Sequence, residues 1–376
     1  MLGCAQNYAA AIHERGGRRR VVTLSGITRI GWERKLDDFS DATVVLAKAK
    51  ASRACLRSLG PIEPWQHEVS LYRDGQRVWE GPLFDFEESR ASITLTARDP
   101  LAWLTRRALH TVAPAGPVNA AAYADTVIRD ALGYAGQDPN LIPFLQITTT
   151  NSPTTQRETQ PLTVTAGAEL AEIAKAGLDY FAIGRSIHVL PDRVDYTVRP
   201  YRLREEHFLA DLTVRKVGSE AATKAYVVGT GETGAAPVGE FGGPAAGYGL
   251  IENVSTSQNT SDLGVLAGIG AKVVGYGNPV PYTVLVPTGS QLSPRAPIGI
   301  PDLVPGRYIQ VAIANYAVPV LALMKLNQVG CSWTPDTPEQ VSVALIPKDV
   351  FDLPPAELAE LVAADHARGG VLAGAR

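Results

Sequence analysis

Between residues 21 and 98 the chain reads as six short strands, "VVTLSGITRI", "DATVVLA", "HEVSLYR", "QRVWEG", "PLFDFEES" and "ASITLTAR". Each is rich in β-branched or aromatic residues and each is bounded by turn formers, the pattern of a pleated, half-buried surface. Six strands in under 100 residues is the density of a small barrel or sandwich, so this stretch is expected to be an all-β domain. Its sharpest turn lies in "YRDGQRVWEGPL" (72–83), where Asp74 and Gly75 suit a type I′ turn because both central residues need positive φ. The charges of that hairpin, Arg73, Asp74, Arg77 and Glu80, either line a site or keep one face of a sheet in water.

The period changes at "RDPLAWLTRRAL". Asp99 stands as an N-cap, Pro100 at the first helical position, and Leu101 and Leu104 on one face. Two further helices are expected at "NAAAYADTVIRDALGYAG" and "AGAELAEIAKAG", the second with Leu170, Ile173 and Ala174 on one face before Gly177. "LDYFAIGRSIHVLP" reads as a hairpin turning at Gly184-Arg185. Strands return at "ADLTVRKVG", "KAYVVG" and "YGLIENVS", and the eight glycines between 229 and 249 suggest a mobile loop. A helix capped by Ser261 follows, then a strand at "PVPYTVLVP". Pro305-Gly306 suits a type II turn that feeds a strand with Ile309, Val311 and Ile313 on one face. The last strands are "ALMKLNQVGCSW" and "EQVSVALIP", before a terminal helix at "PPAELAELVAADHARGG".

The expected fold class is therefore mainly β with α+β parts. Its expected division is an N-terminal barrel over 1–100 with a basic arm at 13–20, and an α+β domain over 101–205. A second barrel over 206–350 carries an inserted loop and helix part at about 229–300, and 351–376 form a helix and tail.

The balance of 35 basic and 38 acidic residues argues against a general nucleic-acid grip, so no specific nucleic-acid binding is expected. The run "HERGGRRR" (13–20) is the local exception: it reads as a solvated arm before the first strand, or as a contact for phosphate or an acidic partner. Cys4, Cys55 and Cys331 lie far apart and make neither a zinc knuckle nor a disulfide framework. "MLGC" has no charged or apolar segment before it, and the apolar stretch 309–326 is interrupted by Gln310, Asn315 and Pro319, so no membrane span is expected.

Gly229, Gly231 and Gly234 satisfy the spacing of a dinucleotide fingerprint, but "AAPVGEFGGPAAGYG" follows where a helix would have to open, and a flexible hairpin loop fits better. The histidines at 13, 67, 110, 188, 207 and 366 form no zinc-binding pair. Asp37, Asp38 and Asp41 lack the alternation and glycine of a calcium loop. Glu87-Glu88 and Glu205-Glu206 are carboxylate pairs whose placement across a cleft sequence does not reveal. Trp32, Trp65, Trp79, Trp103 and Trp333 are spread along the chain and not interleaved with Lys or Arg, which favours burial over stacking on bases or sugars. No catalytic residue, metal ligand or cofactor is assigned, and the chain is expected not to be an enzyme.

The order of "GITRIGWERKLDDFSDATVVL", "EPWQHEVSLYRDGQRVWEGPL" and "ITLTARDPLAWLTRRAL" resembles the N-terminal part of minor tail proteins of long-tailed actinobacteriophages. These are versions of the tail hub, related in fold to the baseplate hub of contractile-tailed phages. "AELAEIAKAGLDYFAIGRSIHVLP", "LSPRAPIGIPDLVPGRYIQVAI" and "TPEQVSVALIP" follow in the order of such hubs, so the resemblance spans about residues 21–347. It implies two barrel-type tube domains per chain, a homotrimer that adapts a six-fold tail tube to three-fold tip proteins, and closure of the channel until ejection. It also implies a place at the distal tail tip of the virion after synthesis in the bacterial cytoplasm. The implied partners are a distal tail protein or tube ring, the tape measure protein and other minor tail or tip proteins. In that frame the 72–83 hairpin builds a barrel and its charges face neighbours or the lumen, while the 229–249 loop plugs the lumen or meets the tape measure. A hub of a contractile phage or injection machine, and a β-rich carbohydrate-active enzyme, remain as alternatives.

Overall fold

A computed structural model describes residues 2, 5, 7–17, 19–112, 116–133, 144–147, 154–155, 157, 159–192, 201–231, 236–256, 263–278, 280, 282–314 and 319–352. The chain is mainly β, in several sheets. It groups into two compact units, one of Met1–Asp211, Pro287–Val311 and Met324–Ile346, the other of Leu212–Val286, Ala312–Leu323 and Pro347–Arg376.

The first unit opens with β1 (Tyr8–Glu14), β2 (Arg20–Thr23), β3 (Ile27–Lys35), β4 (Asp41–Ala47), a short helix α1 (Arg53–Leu59), β5 (His67–Arg73), β6 (Gln76–Glu88) and β7 (Ser92–Arg98). A 3-10 helix, Pro100–Arg106, leads to β8 (Val118–Asn119), α2 (Ala120–Gly133), β9 (Phe144–Ile147), β10 (Thr154–Thr155), α3 (Ala166–Ala174), β11 (Leu178–Ile183), β12 (Ser186–Pro191) and β13 (Tyr201–Arg204). The second unit contributes β14 (Thr213–Lys216), β15 (Lys224–Val228), β16 (Val238–Gly242), β17 (Glu252–Thr256), α4 (Leu263–Gly277) and β18 (Tyr282–Leu285). The chain then runs through β19 (Ser290–Gln291), β20 (Tyr308–Ile313), β21 (Val320–Thr334) and β22 (Thr337–Asp352).

One 12-stranded sheet follows the order β13-β20-β21-β3-β4-β7-β6-β5-β1-β2, with β22 on β21 and β19 on β22. Alternation builds its core: Ala42, Val44 and Leu46 of β4 point inward, as do Ile93, Leu95 and Ala97 of β7. Val44 faces Leu95 and Leu46 faces Ile93 across the ladder. Each such buried aliphatic side chain stabilises by about 1.5–3 kcal/mol relative to exposure. A second core gathers Leu101, Trp103 and Leu104 of the 3-10 helix with Ile128 of α2, Leu170 and Ile173 of α3, and Ile187 and Val189 of β12.

Asp74 and Gly75 both have positive φ, 48° and 80°, as the expected type I′ turn requires. The expected break at Pro82 is absent, because β6 changes partner there: it pairs with β5 as far as Pro82 and with β7 from Leu83 onward. Gly81 permits the crossing, since a Cβ at that position would lie 1.8 Å from the Arg98 carbonyl oxygen. Asp99 caps as expected, accepting from the Leu101 amide at 3.0 Å, but the turn it opens is 3-10. The basic run is not an arm ahead of the first strand: His13 and Glu14 end β1, Arg20 begins β2, and the described residues between them belong to the connection of the two strands. Helix α1 was not anticipated, although Ser52 caps it through the Cys55 amide and Cys55 and Leu59 share its buried face.

In the second unit β16-β15-β17 form a sheet, and β14 pairs with β18. Ala225 and Val227 of β15 are buried, with Gly270 of α4 packed close to both. Part of the glycine-rich stretch 229–249 is therefore strand, with β16 antiparallel to β15. The expected cap Ser261 and the expected C-terminal helix lie outside the described residues.

Candidate functional site: buried ionic junctions

The hairpin at 72–83 turns two of its four charges, Arg73 and Glu80, towards the rest of the chain and leaves Asp74 and Arg77 exposed. Arg73 at the end of β5 grips Glu339 of β22 with two hydrogen bonds, Nε to Oε1 at 2.8 Å and Nη2 to Oε2 at 2.8 Å. Glu339 also accepts from the Tyr8 hydroxyl at 2.5 Å, and its side chain is fully buried. The Trp32 indole donates to the same hydroxyl at 3.4 Å. A bidentate guanidinium and a phenol hold the Glu339 carboxyl below its ordinary range in spite of burial, the largest opposing influence. Cys331 lies in the same cluster, 3.2 Å from Tyr8, and burial pushes its thiol up to about 12. A thiol in that state is no nucleophile.

The other end of the hairpin forms a second junction. Glu80 is buried and meets Arg77 at 2.6 Å and Arg185, from the β11–β12 turn, at 3.4 Å. Glu68 of β5 meets Arg185 at 2.5 Å and accepts from the Gly16 amide at 2.8 Å. Asp74 accepts from the Asn7 amide at 3.0 Å. The expectation that these charges face neighbours or the lumen is thus corrected for Arg73 and Glu80: Arg73 is held by Glu339 of a distant strand, and Glu80 by Arg77 three residues before it and by the distant Arg185.

The third junction sits where β21 meets the β11–β12 hairpin. Lys325, 3% exposed, reaches Asp179 at 2.5 Å and Asp192 at 2.6 Å. Tyr308 donates to Asp192 at 3.2 Å. Burial raises the Asp179 carboxyl to about 6, and the Asp192 and Asp37 carboxylates add to the rise against the pull of Lys325. Nearby, Asp37 takes a left-handed φ of 58°, donates its amide to the Tyr180 carbonyl at 2.8 Å and accepts from the Tyr180 amide on its carboxylate Oδ1 at 3.0 Å. Arg34 is buried with no carboxylate partner among the described residues, its guanidinium held by the carbonyls of Ile300, Leu303 and Val78 at 3.0–3.2 Å. Burial lowers its pKa to about 10.

The motifs that tempt in sequence do not converge. Gly229 and Gly231 follow β15, and the next described element is the antiparallel strand β16; Gly234 lies outside the described residues. Among the described residues no group of three His, Cys, Asp or Glu side chains could hold a metal ion. Asp41 pairs with Arg98 at 3.2 Å, and Asp38 accepts from its neighbour Phe39. His188 stacks on Phe181, His207 accepts from the Arg204 amide, and His67 meets Glu63. Glu88 pairs with Lys48, and Glu206 with Arg204. A cavity of about 430 Å³ between α1 and the end of β6 is lined by apolar side chains including Leu56, Leu59, Phe86 and Ile93 together with Lys48, Glu63 and Glu88, of which Lys48 and Glu88 are paired with each other. The arrangement of these charges locks segments together.

No family model matches the sequence, and no curated protein matches it. The fold does have solved counterparts. The tail protein from Neisseria meningitidis MC58 superposes with a TM-score of 0.57 at 13% identity, covering 91% of this chain and 97% of that one. The 43 kDa tail protein of prophage MuSo2 from Shewanella oneidensis gives 0.56 at 14%, covering 92% and 100%. Prophage tail protein gp18 from Listeria monocytogenes EGD-e gives 0.51 at 9%, covering 95% and 98%. At such identities the shared property is the fold.

Proposed function

We propose that this chain is a structural virion protein, the hub at the distal end of a phage tail. Three copies would adapt the six-fold tail tube to three-fold tip proteins and close the channel until ejection. The observation that carries the reading is the coextensive likeness to tail proteins: more than nine-tenths of this chain is matched to 97–100% of each of three such proteins. Two features support it. The buried charges of the first unit hold distant segments in one register, as a load-transmitting ring component requires. Of the 11 large hydrophobic residues that are exposed among those described, seven lie between 212 and 286: Val238, Phe241, Tyr248, Leu250, Val254, Leu263 and Leu285. This concentration of exposed apolar side chains in one unit supports a chain that has neighbours in its assembly.

On this reading 1–100 and 206–350 supply the two barrel-type tube domains, 101–205 the α+β domain between them, and 229–300 the insertion. The neighbours are a tube or distal tail ring, the tape measure protein and other tip proteins, and the chain carries no catalytic centre. Immunogold labelling of intact and mildly disrupted particles from the source lysate tests it. Label confined to the distal tail end is expected. Particles that stay unlabelled after disruption, with the protein abundant and free in the lysate, would refute the reading.

A further inference from the structure

We propose that a buried water molecule binds between Glu68, Glu80 and Arg185, under the turn of the β11–β12 hairpin, and completes the hydrogen bonding of the second junction. The inference concerns the interior of the first unit and does not rest on the tail reading.

Strand register gathers polar groups there that sequence order keeps apart. His13 of β1 stands opposite Glu68 of β5, and Ser70 of β5 stands opposite Glu80 of β6. Residues directly opposite in an antiparallel pair point to the same side, so His13, Glu68, Ser70 and Glu80 share one face of three adjacent strands. Glu68, Ser70 and Glu80 are each no more than 2% exposed. Polar groups buried so deeply need hydrogen-bond partners.

The protein supplies those partners only in part. Glu68 is served by Arg185 and by the Gly16 amide. The Ser70 hydroxyl and both ring nitrogens of His13 are buried and have no hydrogen-bond partner among the described residues. Glu80 Oε2 lies 2.6 Å from Arg77 Nη1, but the pair is not aligned as a hydrogen bond, and no other described group donates to that oxygen. Glu80 Oε1 receives Arg185 at 3.4 Å, the long end of the hydrogen-bond range.

A cavity lies at the same place. Glu68, Glu80 and Arg185 line it together with Pro82, Pro100 and Trp103, and its volume is about 10 Å³. That is about the smallest volume that takes one water molecule. The main chain closes in on the same side chains, since a Cβ at Gly17 would lie 2.7 Å from Glu80 Oε1 and 3.0 Å from Arg185 Nη1.

The charges select the ligand. Two carboxylates repel an anion, and Arg185 and Arg77 already balance them, so no cation is required. Among the described residues no group of three His, Cys, Asp or Glu side chains could hold a metal ion. Water both donates and accepts: it can accept from the Arg185 guanidinium and give its two hydrogens to the Glu68 and Glu80 carboxylates. About three such bonds are usual for a buried water.

A high-resolution crystal structure of the unmodified full chain tests the proposal. The expected result is a single water peak, about 2.7–3.2 Å from a Glu80 oxygen and from the Arg185 guanidinium, and as well ordered as the side chains around it. An empty cavity would overturn the proposal, and so would a Ser70 hydroxyl turned to satisfy Glu80 Oε2 directly. A second crystal soaked in a thallium(I) salt separates water from a monovalent cation. An anomalous peak between the two carboxylates would replace the proposed water by a cation, whereas an unchanged water peak supports it. In solution, water relaxation dispersion of the full chain should detect a long-lived internal water, and its absence would also overturn the assignment.

Discussion

The β21–β22 hairpin carries two buried ionic junctions, and they are built on opposite principles. Near its turn, Glu339 has one guanidinium in a bidentate grip and one phenol, so every oxygen of the carboxylate is engaged and its pKa is held down. Further along, one ammonium, that of Lys325, is divided between Asp179 and Asp192, and the Asp179 carboxyl is driven up to about 6. Burial pushes both carboxyls up, and the difference lies in how far the donors offset it. A carboxylate with surplus donors stabilises the fold as an ion, while one that competes for a cation takes up a proton near neutral pH.

Removing one partner from each junction should separate them most sharply. Glu339→Ala leaves the Arg73 charge and the Tyr8 hydroxyl without their shared acceptor, and we expect a loss of about 3–5 kcal/mol in denaturant unfolding. Arg73 stays charged across the accessible range, so the loss should hold from neutral pH down to the depressed Glu339 pKa. Lys325→Met should cost a similar amount at pH 8, because two carboxylates then face each other without a cation. That cost should shrink towards pH 5, where one of the two is protonated. Parallel pH profiles for the two variants would contradict the distinction.

The wild-type profile should carry the same contrast at smaller amplitude. Asp179 binds its proton more tightly folded than unfolded, so between about pH 4 and 6 stability should fall as pH rises, by up to about 1.4 kcal/mol per pH unit. Asp99, fully buried and raised to about 7, should act in the same direction up to that pH. Glu339 runs the other way: its contribution is complete above the ordinary carboxylate range and is lost as pH falls through its depressed value. Asp179→Asn should flatten the slope between pH 4 and 6 by its own share.

Neither junction was legible in the sequence. Arg73 and Glu339 stand 266 positions apart, and Lys325 and Asp179 146, so no local pattern links them. Period and turn chemistry did locate the elements that carry them. Strands β4 and β5 have the expected bounds, the β11–β12 hairpin turns at Gly184-Arg185, and Ile309, Val311 and Ile313 are all buried. Pro82 misled because a proline normally ends pairing, whereas here it marks an exchange of partner strands. The contacts of Trp65 with Phe84 and Trp103 escaped notice for the same reason as the junctions: they form through space.

The first junction also depends on register. The turn at Asp74-Gly75 sets Arg73 opposite Gln76 and Tyr72 opposite Arg77. A Cβ at Gly75 would meet nothing within 4 Å, so Gly75→Val strains only the backbone, at about 2 kcal/mol for a β-branched residue at a φ of 80°. If the turn slips to relieve that strain, Arg73 leaves Glu339 and the loss should approach that of Glu339→Ala. Comparing the two variants by thermal unfolding distinguishes local strain from loss of register, and tail assembly in a complementation assay should fail only in the second case.

Ser52 offers the smallest effect and the baseline for the rest. Its hydroxyl accepts from the Cys55 amide at 3.1 Å and caps α1, with no part in either junction. Ser52→Ala should cost about 1 kcal/mol, the usual value of an N-cap. No charge is gained or lost, so this cost should be the same at every pH at which the protein stays folded. A stability curve displaced downward and parallel to wild type would assign the slopes described above to the carboxylates. A curve that changes slope would mean that loosening α1 alone alters the titration of distant groups, and the two junctions could then no longer be treated as independent.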